Sequence, residues 1–139
     1  YEMAQRFRSD CMRFFLGDVR DAQRLKKAFE DVDIVVHAAA LKQVPALEYN
    51  PFEAVKTNIL GTENVVNAAI ESGVKRVIAL STDKAANPTS VLGYSKRITE
   101  RLTAHAGTRH TGTFLNVRFG NELGSRGRGP TSRYHWEKS

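Results

Sequence analysis

The sequence contains one cysteine, Cys11, which excludes an internal disulfide and leaves no thiol partner for a zinc site. A single thiol fits a reducing cytoplasm and reads as an incidental or packed small residue. Long apolar runs are also missing. The most apolar stretch, Asp33-Ile-Val-Val-His-Ala-Ala-Ala-Leu41, is far shorter than the roughly 20 residues a membrane helix needs. The opening residues, Tyr1-Glu-Met-Ala-Gln-Arg6, are polar and supply no apolar segment of a signal peptide. Basic residues exceed acidic ones mainly beyond residue 96, where 8 face 3, against 13 facing 12 before it. No helix-turn-helix pattern, zinc ligand set or RNA-binding aromatic motif accompanies that excess, which argues against nucleic acid. Anionic small ligands or a solvated surface explain it better.

What the chain does have is alternation. Its 139 residues provide for one domain with a core, and a 41% apolar content fits a folded globular chain. Met12-Arg-Phe-Phe-Leu16, closed by Gly17-Asp18, reads as a strand, and Asp21–Glu30 places Leu25 and Phe29 on one helix face. Val32–Ala39 is a β-branched run of the kind buried on both faces of a sheet. Asn50, Pro51 and Glu53 spell a capped helix start, with Glu53 at the capping-box position. Phe52, Val55, Ile59, Val66 and Ile70 continue that helix to Gly73. Val74–Leu80 reads as a strand, Val91–His105 as a helix and Thr113–Phe119 as a strand. Such alternation predicts right-handed crossovers and a parallel sheet with helices on both faces. The fold class is therefore α/β, a doubly wound parallel sheet in which ligands bind beyond the carboxyl ends of the strands.

The strand ends carry the candidate chemistry. Asp18, after a strand and a glycine, can accept from a nucleobase amino group, or simply close a turn or cap a helix. Ala38, Ala39 and Ala40 are small enough to let a flat ligand lie on the backbone, and equally suit a tight strand-to-helix junction. His37 sits within the apolar run and reads as a satisfied core histidine. Ser81-Thr82-Asp83-Lys84 gathers hydroxyls, an acid and an amine at one strand end. An adjacent acid and base suit a dehydration, in which one carbon loses a proton while the oxygen on its neighbour gains one. The bland alternative is a loop with an Asp–Lys surface pair. Lys96 shares a helix face with Leu92, whereas Tyr94 stands about 200° round the helix from Lys96.

The sequence has no G-x-G-x-x-G, the glycine loop that lets a helix terminus cradle a pyrophosphate. The expected frame is therefore a partial Rossmann-type domain over residues 1–127, beginning after its first strand and glycine loop. An irregular tail follows over 128–139, with no core pattern.

Five segments carry a resemblance, in family order and together spanning about residues 12–127. They are Phe14-Phe-Leu-Gly-Asp-Val-Arg-Asp21, Val35-Val-His-Ala-Ala-Ala-Leu-Lys-Gln-Val-Pro45, and Glu48 through Asn64. Ser81-Thr-Asp-Lys-Ala-Ala-Asn-Pro88 and Arg118-Phe-Gly-Asn-Glu-Leu-Gly-Ser-Arg-Gly127 complete the set. The chain resembles the CapD-like polysaccharide-biosynthesis branch of the extended short-chain dehydrogenases, the nucleotide-sugar 4,6-dehydratases of capsule and related pathways. That resemblance implies a lyase with a tightly held NADP or NAD and a nucleotide-sugar substrate of the UDP-N-acetylglucosamine type. It also implies that relatives often associate as homo-oligomers. The implied cofactor lining is Asp18, Val19, Ala38, Ala39, Ala40, Asn58, Ser81 and Lys96. Thr82 would hold the sugar C4 hydroxyl, with Asp83 as acid, Lys84 as base and Lys96 on the nicotinamide ribose. Lys42, Asn121 and Arg126 would contact substrate. Where the family pattern has a catalytic tyrosine four residues before the lysine, this chain has Leu92. A related nucleotide-sugar epimerase, or a catalytically silent fragment, is the alternative expectation.

Overall fold

The computed structural model describes residues 9–120. Asn121, Arg126 and the tail expected over 128–139 lie outside the described residues. Helix α1 spans Ala22–Ala28, capped by the Asp21 carboxylate, which accepts the Arg24 N–H at 2.9 Å. Strand β1 is Ile34–His37, followed by a short helix α2, Val44–Tyr49. Helix α3, Pro51–Ala54, passes through a π-helical segment, Val55–Leu60, into α4, Gly61–Glu71. Gly73, at φ 69°, turns the chain out of α4. Strand β2 is Arg76–Thr82, followed by a 3₁₀ turn, Asp83–Ala85. Helix α5 spans Val91–Arg109, and strand β3 spans Thr113–Phe119.

The three strands form one parallel sheet in the order β1-β2-β3. Val35 pairs with Val77 and His37 with Ala79, while Val77 pairs with Phe114 and Ser81 with Arg118. That register sorts the side chains into two sets. Val35, His37, Val77, Ala79 and Ser81 are buried, whereas Ile34, Val36, Leu115, Val117 and Phe119 are exposed. The core follows from it: Val35, Val65, Ala69, Val74 and Val77, with Leu25, Phe29 and Phe114 packed around them. A second cluster joins Leu47, Ala54 and Leu92.

Several expectations need correction. Met12–Leu16 is not a strand: no strand pairs with it among the described residues, and a lone extended segment has no ladder to hold it. It is fastened instead by Arg24, whose Nε donates to the Leu16 carbonyl at 2.8 Å while its guanidinium lies over the Phe15 ring. The sheet is covered on one face only among the described residues. The capping box is absent, because Asn50 Nδ2 donates back to the Ala46 carbonyl and the Glu53 carboxylate pairs with Arg20 and Lys56. The single helix expected from Asn50 carries the π-helical segment in its middle. Helix α2 went unforeseen, since six residues leave too short a pattern to read.

Candidate active site

Parallel pairing places the ends of all three strands on one edge, so the segments after His37, Thr82 and Phe119 leave the sheet together. At the centre, Thr82 caps the 3₁₀ turn, its Oγ1 accepting the Lys84 N–H. The Thr82 hydroxyl donates to Asp83 Oδ1 at 2.9 Å, and Lys84 Nζ approaches the same oxygen at 3.3 Å. These two donors, the threonine hydroxyl first, hold the Asp83 carboxyl below the usual carboxylate range. Asp83 is exposed and Lys84 half-buried, so the cluster opens to solvent at the strand edge.

Beside it stands Lys96 on α5, half-buried, with Nζ donating to the Leu80 carbonyl at 2.8 Å. Burial lowers its pKa and the nearby Glu100 partly offsets that. One of its three donors is therefore committed to the backbone. His37, one strand over, is buried and pushed down to about 4, chiefly by burial and then by the charge of Lys96. Its Nε2 lies 2.9 Å from Thr62 Oγ1, which itself donates to the Asn58 carbonyl at 2.6 Å. Thr62 has one proton and has given it away, so the histidine must donate, which assigns the Nε2–H tautomer. His37 is thus the satisfied core histidine that its apolar surroundings predict.

Asn58 shows what the π-helical segment accomplishes. Asn58 is buried within that segment. Oδ1 accepts the Leu41 N–H at 2.8 Å, while Nδ2 donates to the Leu41 carbonyl at 3.1 Å and to Ser95 Oγ at 3.0 Å. Ser95 Oγ in turn donates to the Leu92 carbonyl. The amide of Asn58 is therefore a clasp between the Ala38–Leu41 loop and α5, with both N–H donors taken by the protein. Ala38 and Ala39 are exposed and Ala40 half-buried, an open strip of small side chains after β1; Lys42 is exposed too.

Asp18 lies in a turn, with Oδ1 accepting the Arg20 N–H at 2.8 Å, and Val19 is half-buried against Gly61. Ser81 is buried and donates to Glu100 Oε1 at 2.7 Å. Glu100 also receives a two-pronged contact from Arg118, Nε and Nη2 each at 2.7 Å. Leu92 is buried against Leu47 and Ala54, while Tyr94 is 56% exposed, so no phenol stands ahead of Lys96 on its face.

Sequence reasoning missed Thr62, Ser95, Glu100 and Arg118. Glu100 and Arg118 had a readable signal. Glu100 falls four residues after Lys96 on the same helix face, and Arg118 continues the inward alternation of Phe114 and Asn116. Thr62 and Ser95 had none, because each matters only through a contact more than 20 residues away in sequence.

A family profile described as "Polysaccharide biosynthesis protein" matches residues 1–128. The UDP-N-acetylglucosamine 4,6-dehydratase (inverting) of Campylobacter jejuni strain 81-176 is 52% identical over 131 residues, 91% of this chain and 39% of that protein. The UDP-glucose 4-epimerase of Rickettsia typhi is 51% identical over 119 residues, 84% of this chain and 35% of that protein. The crystal structure of Pen from Bacillus thuringiensis superposes with a TM-score of 0.86 at 44% identity, covering 91% of this chain and 41% of that one. A dTDP-glucose 4,6-dehydratase from Streptomyces venezuelae, solved with NAD bound, gives 0.73 at 29% identity over 79% of this chain and 38% of that one. The chain thus spans about two fifths of the length of the proteins it resembles.

Proposed function

This chain belongs to the polysaccharide biosynthesis protein family, and on that premise we propose that it is part of a nucleotide-sugar 4,6-dehydratase acting in the cytoplasm. The observation that carries the reading is the Thr82–Asp83–Lys84 cluster at the open end of the central strand, with Lys96 beside it. The substrate we infer is a UDP-N-acetylglucosamine-type sugar, in line with the relative that is 52% identical.

The residues present fit a nicotinamide cofactor. Ala38 and Ala39 offer an open, small-sided strip, and Lys96 has donors beyond the one given to Leu80 that suit a ribose hydroxyl. Asp18 and Val19 would meet the adenine. When bound, such a cofactor, NAD or NADP, supplies hydride acceptance and return. The chain's own residues handle protons. Thr82 orients the sugar C4 hydroxyl by exchanging its bond to Asp83 for one to the sugar. With leucine in place of the phenol, the proton released as C4 is oxidised goes to the Lys96 amine, whose pKa burial lowers. Asp83 starts as an anion, so an acid role requires it to gain a proton first, and Lys84 at 3.3 Å is the adjacent donor. Covering the pair with substrate removes water and favours the neutral pair, an Asp83 carboxylic acid beside a Lys84 amine. The amine then takes the sugar C5 proton and the acid protonates the departing C6 oxygen, so that water leaves. Lys42, Asn121 and Arg126 are proposed as substrate contacts.

The epimerase reading is favoured by the 51% identical relative. Both reactions begin by oxidising C4, so Leu92 does not separate them; the adjacent acid and base do, since they have a task in dehydration and none in epimerisation. The test is incubation with UDP-N-acetylglucosamine and either NAD or NADP, followed by mass analysis. A product lighter by one water is expected, its rate falling about a hundredfold or more in Asp83→Asn and Lys84→Met. Conversion to the C4 epimer with no loss of mass would overturn the dehydratase reading.

A further inference from the structure

Among the described residues the turn Asp18-Val19-Arg20 adjoins no strand, and three contacts reach it from a single helical unit. Asn64 Nδ2, in α4, donates to the Val19 carbonyl at 3.0 Å. The Arg20 guanidinium spans to Thr57 in the π-helical segment, Nε to Oγ1 at 2.9 Å, and to Glu53 in α3, Nη2 to Oε2 at 2.9 Å. Gly61, at the start of α4, makes the third: a Cβ there would stand 2.7 Å from Val19 Cγ2, so only glycine lets the turn pack this closely. The turn passes this placement on to one carboxylate. The Arg20 N–H holds Asp18 Oδ1 at 2.8 Å, and Oδ2 carries no hydrogen bond among the described residues. The same helical unit, through Asn58, clasps the Ala38–Leu41 loop.

We propose that Asn64, Arg20 and Gly61 are positioning residues for the adenine end of the cofactor. They strap the Asp18 turn to the unit that also places the Ala38–Ala40 strip, and so set the distance between the two ends of the groove. This rests on the nicotinamide-cofactor reading above. A lost strap leaves Asp18 present but misaimed, and misaimed contacts lose binding at that end alone.

The test uses Asn64→Leu and Arg20→Met, which retain side-chain bulk without the donors, and titrates each protein with NAD, ADP and nicotinamide mononucleotide. Amide hydrogen exchange is followed in parallel. ADP and NAD binding should weaken about fivefold, as expected for one lost hydrogen bond, with nicotinamide mononucleotide unchanged. Exchange of the Val19–Asp21 amides should speed up while Val65–Ala69 in α4 stay protected. Should Asn64→Leu unfold α4, Arg20→Met carries the test, since its partners lie at the surface. Equal weakening of ADP and nicotinamide mononucleotide, or unchanged ADP binding with a loosened turn, overturns the strap. Failure of the native chain to bind either NAD or ADP instead overturns the cofactor reading, and the strap with it.

Discussion

Lowering the pH should destabilise this chain through one buried ring. His37 is buried in the fold and pushed down to about 4, against 6.5 when free in the unfolded chain. A depressed histidine binds protons in the unfolded state first, so its neutral form favours folding fully above pH 6.5 and loses that advantage as pH falls toward 4. Working the linkage between pH 7.5 and pH 4.5 with those two values gives a loss of about 2–3 kcal/mol. That is on the order of 10 °C in melting temperature for a domain of this size. Asp83, Glu53 and Glu100 also have lowered pKa values and add acid sensitivity of their own. The measurement is therefore a difference: urea unfolding of the native chain and His37→Leu across that range. The carboxylates cancel, and the native curve should fall more steeply by the stated amount. Lys96→Met should raise the His37 pKa slightly, because the lysine charge is the smaller of the two causes. Parallel curves for native and His37→Leu would refute the argument, showing that the ring is hydrated or that its burial costs nothing.

Glu100→Ala should cost about 2–3 kcal/mol in denaturant unfolding, since it strips Ser81 and Arg118 of a buried acceptor. Glu100→Gln should flatten the acid limb, because a lowered carboxylate pKa stabilises above pH 4.5 and is lost below it. Asn58→Ala should cost about 2–3 kcal/mol and speed exchange of the Leu41 amide, which loses its Oδ1 acceptor, without altering exchange in β2. A mutant as protected at Leu41 as the native chain would show that the loop is held by something else. Asp83→Asn should leave folding unchanged while lowering the proposed dehydration by about a hundredfold or more, because that carboxylate is exposed and its partners are its neighbours in sequence.

The readable part of the chain was the part governed by local pattern. Thr113–Phe119 was read with its observed bounds, and the stop at Gly73 follows from residue chemistry alone. The Thr82–Lys84 cluster was legible because its members are adjacent, so no folding is needed to bring them together. Met12–Leu16 failed for the opposite reason. Its apolar pattern is that of a strand, but a strand exists only when a neighbour accepts its hydrogen bonds.

Alternation, composition and adjacent residues thus determined an α/β parallel fold and the side-by-side placement of Asp83 and Lys84 after a strand, because these depend on neighbours along the chain. Tertiary structure alone decided that Asn58 clasps a loop, that Ser81 answers to Glu100, and that His37 is neutral with its proton on Nε2. Each of these depends on a partner 15 or more residues away in sequence. Burial and hydrogen-bond exchange, which give those contacts their strength, exist only once the strands have paired and the helices have closed over one face of the sheet.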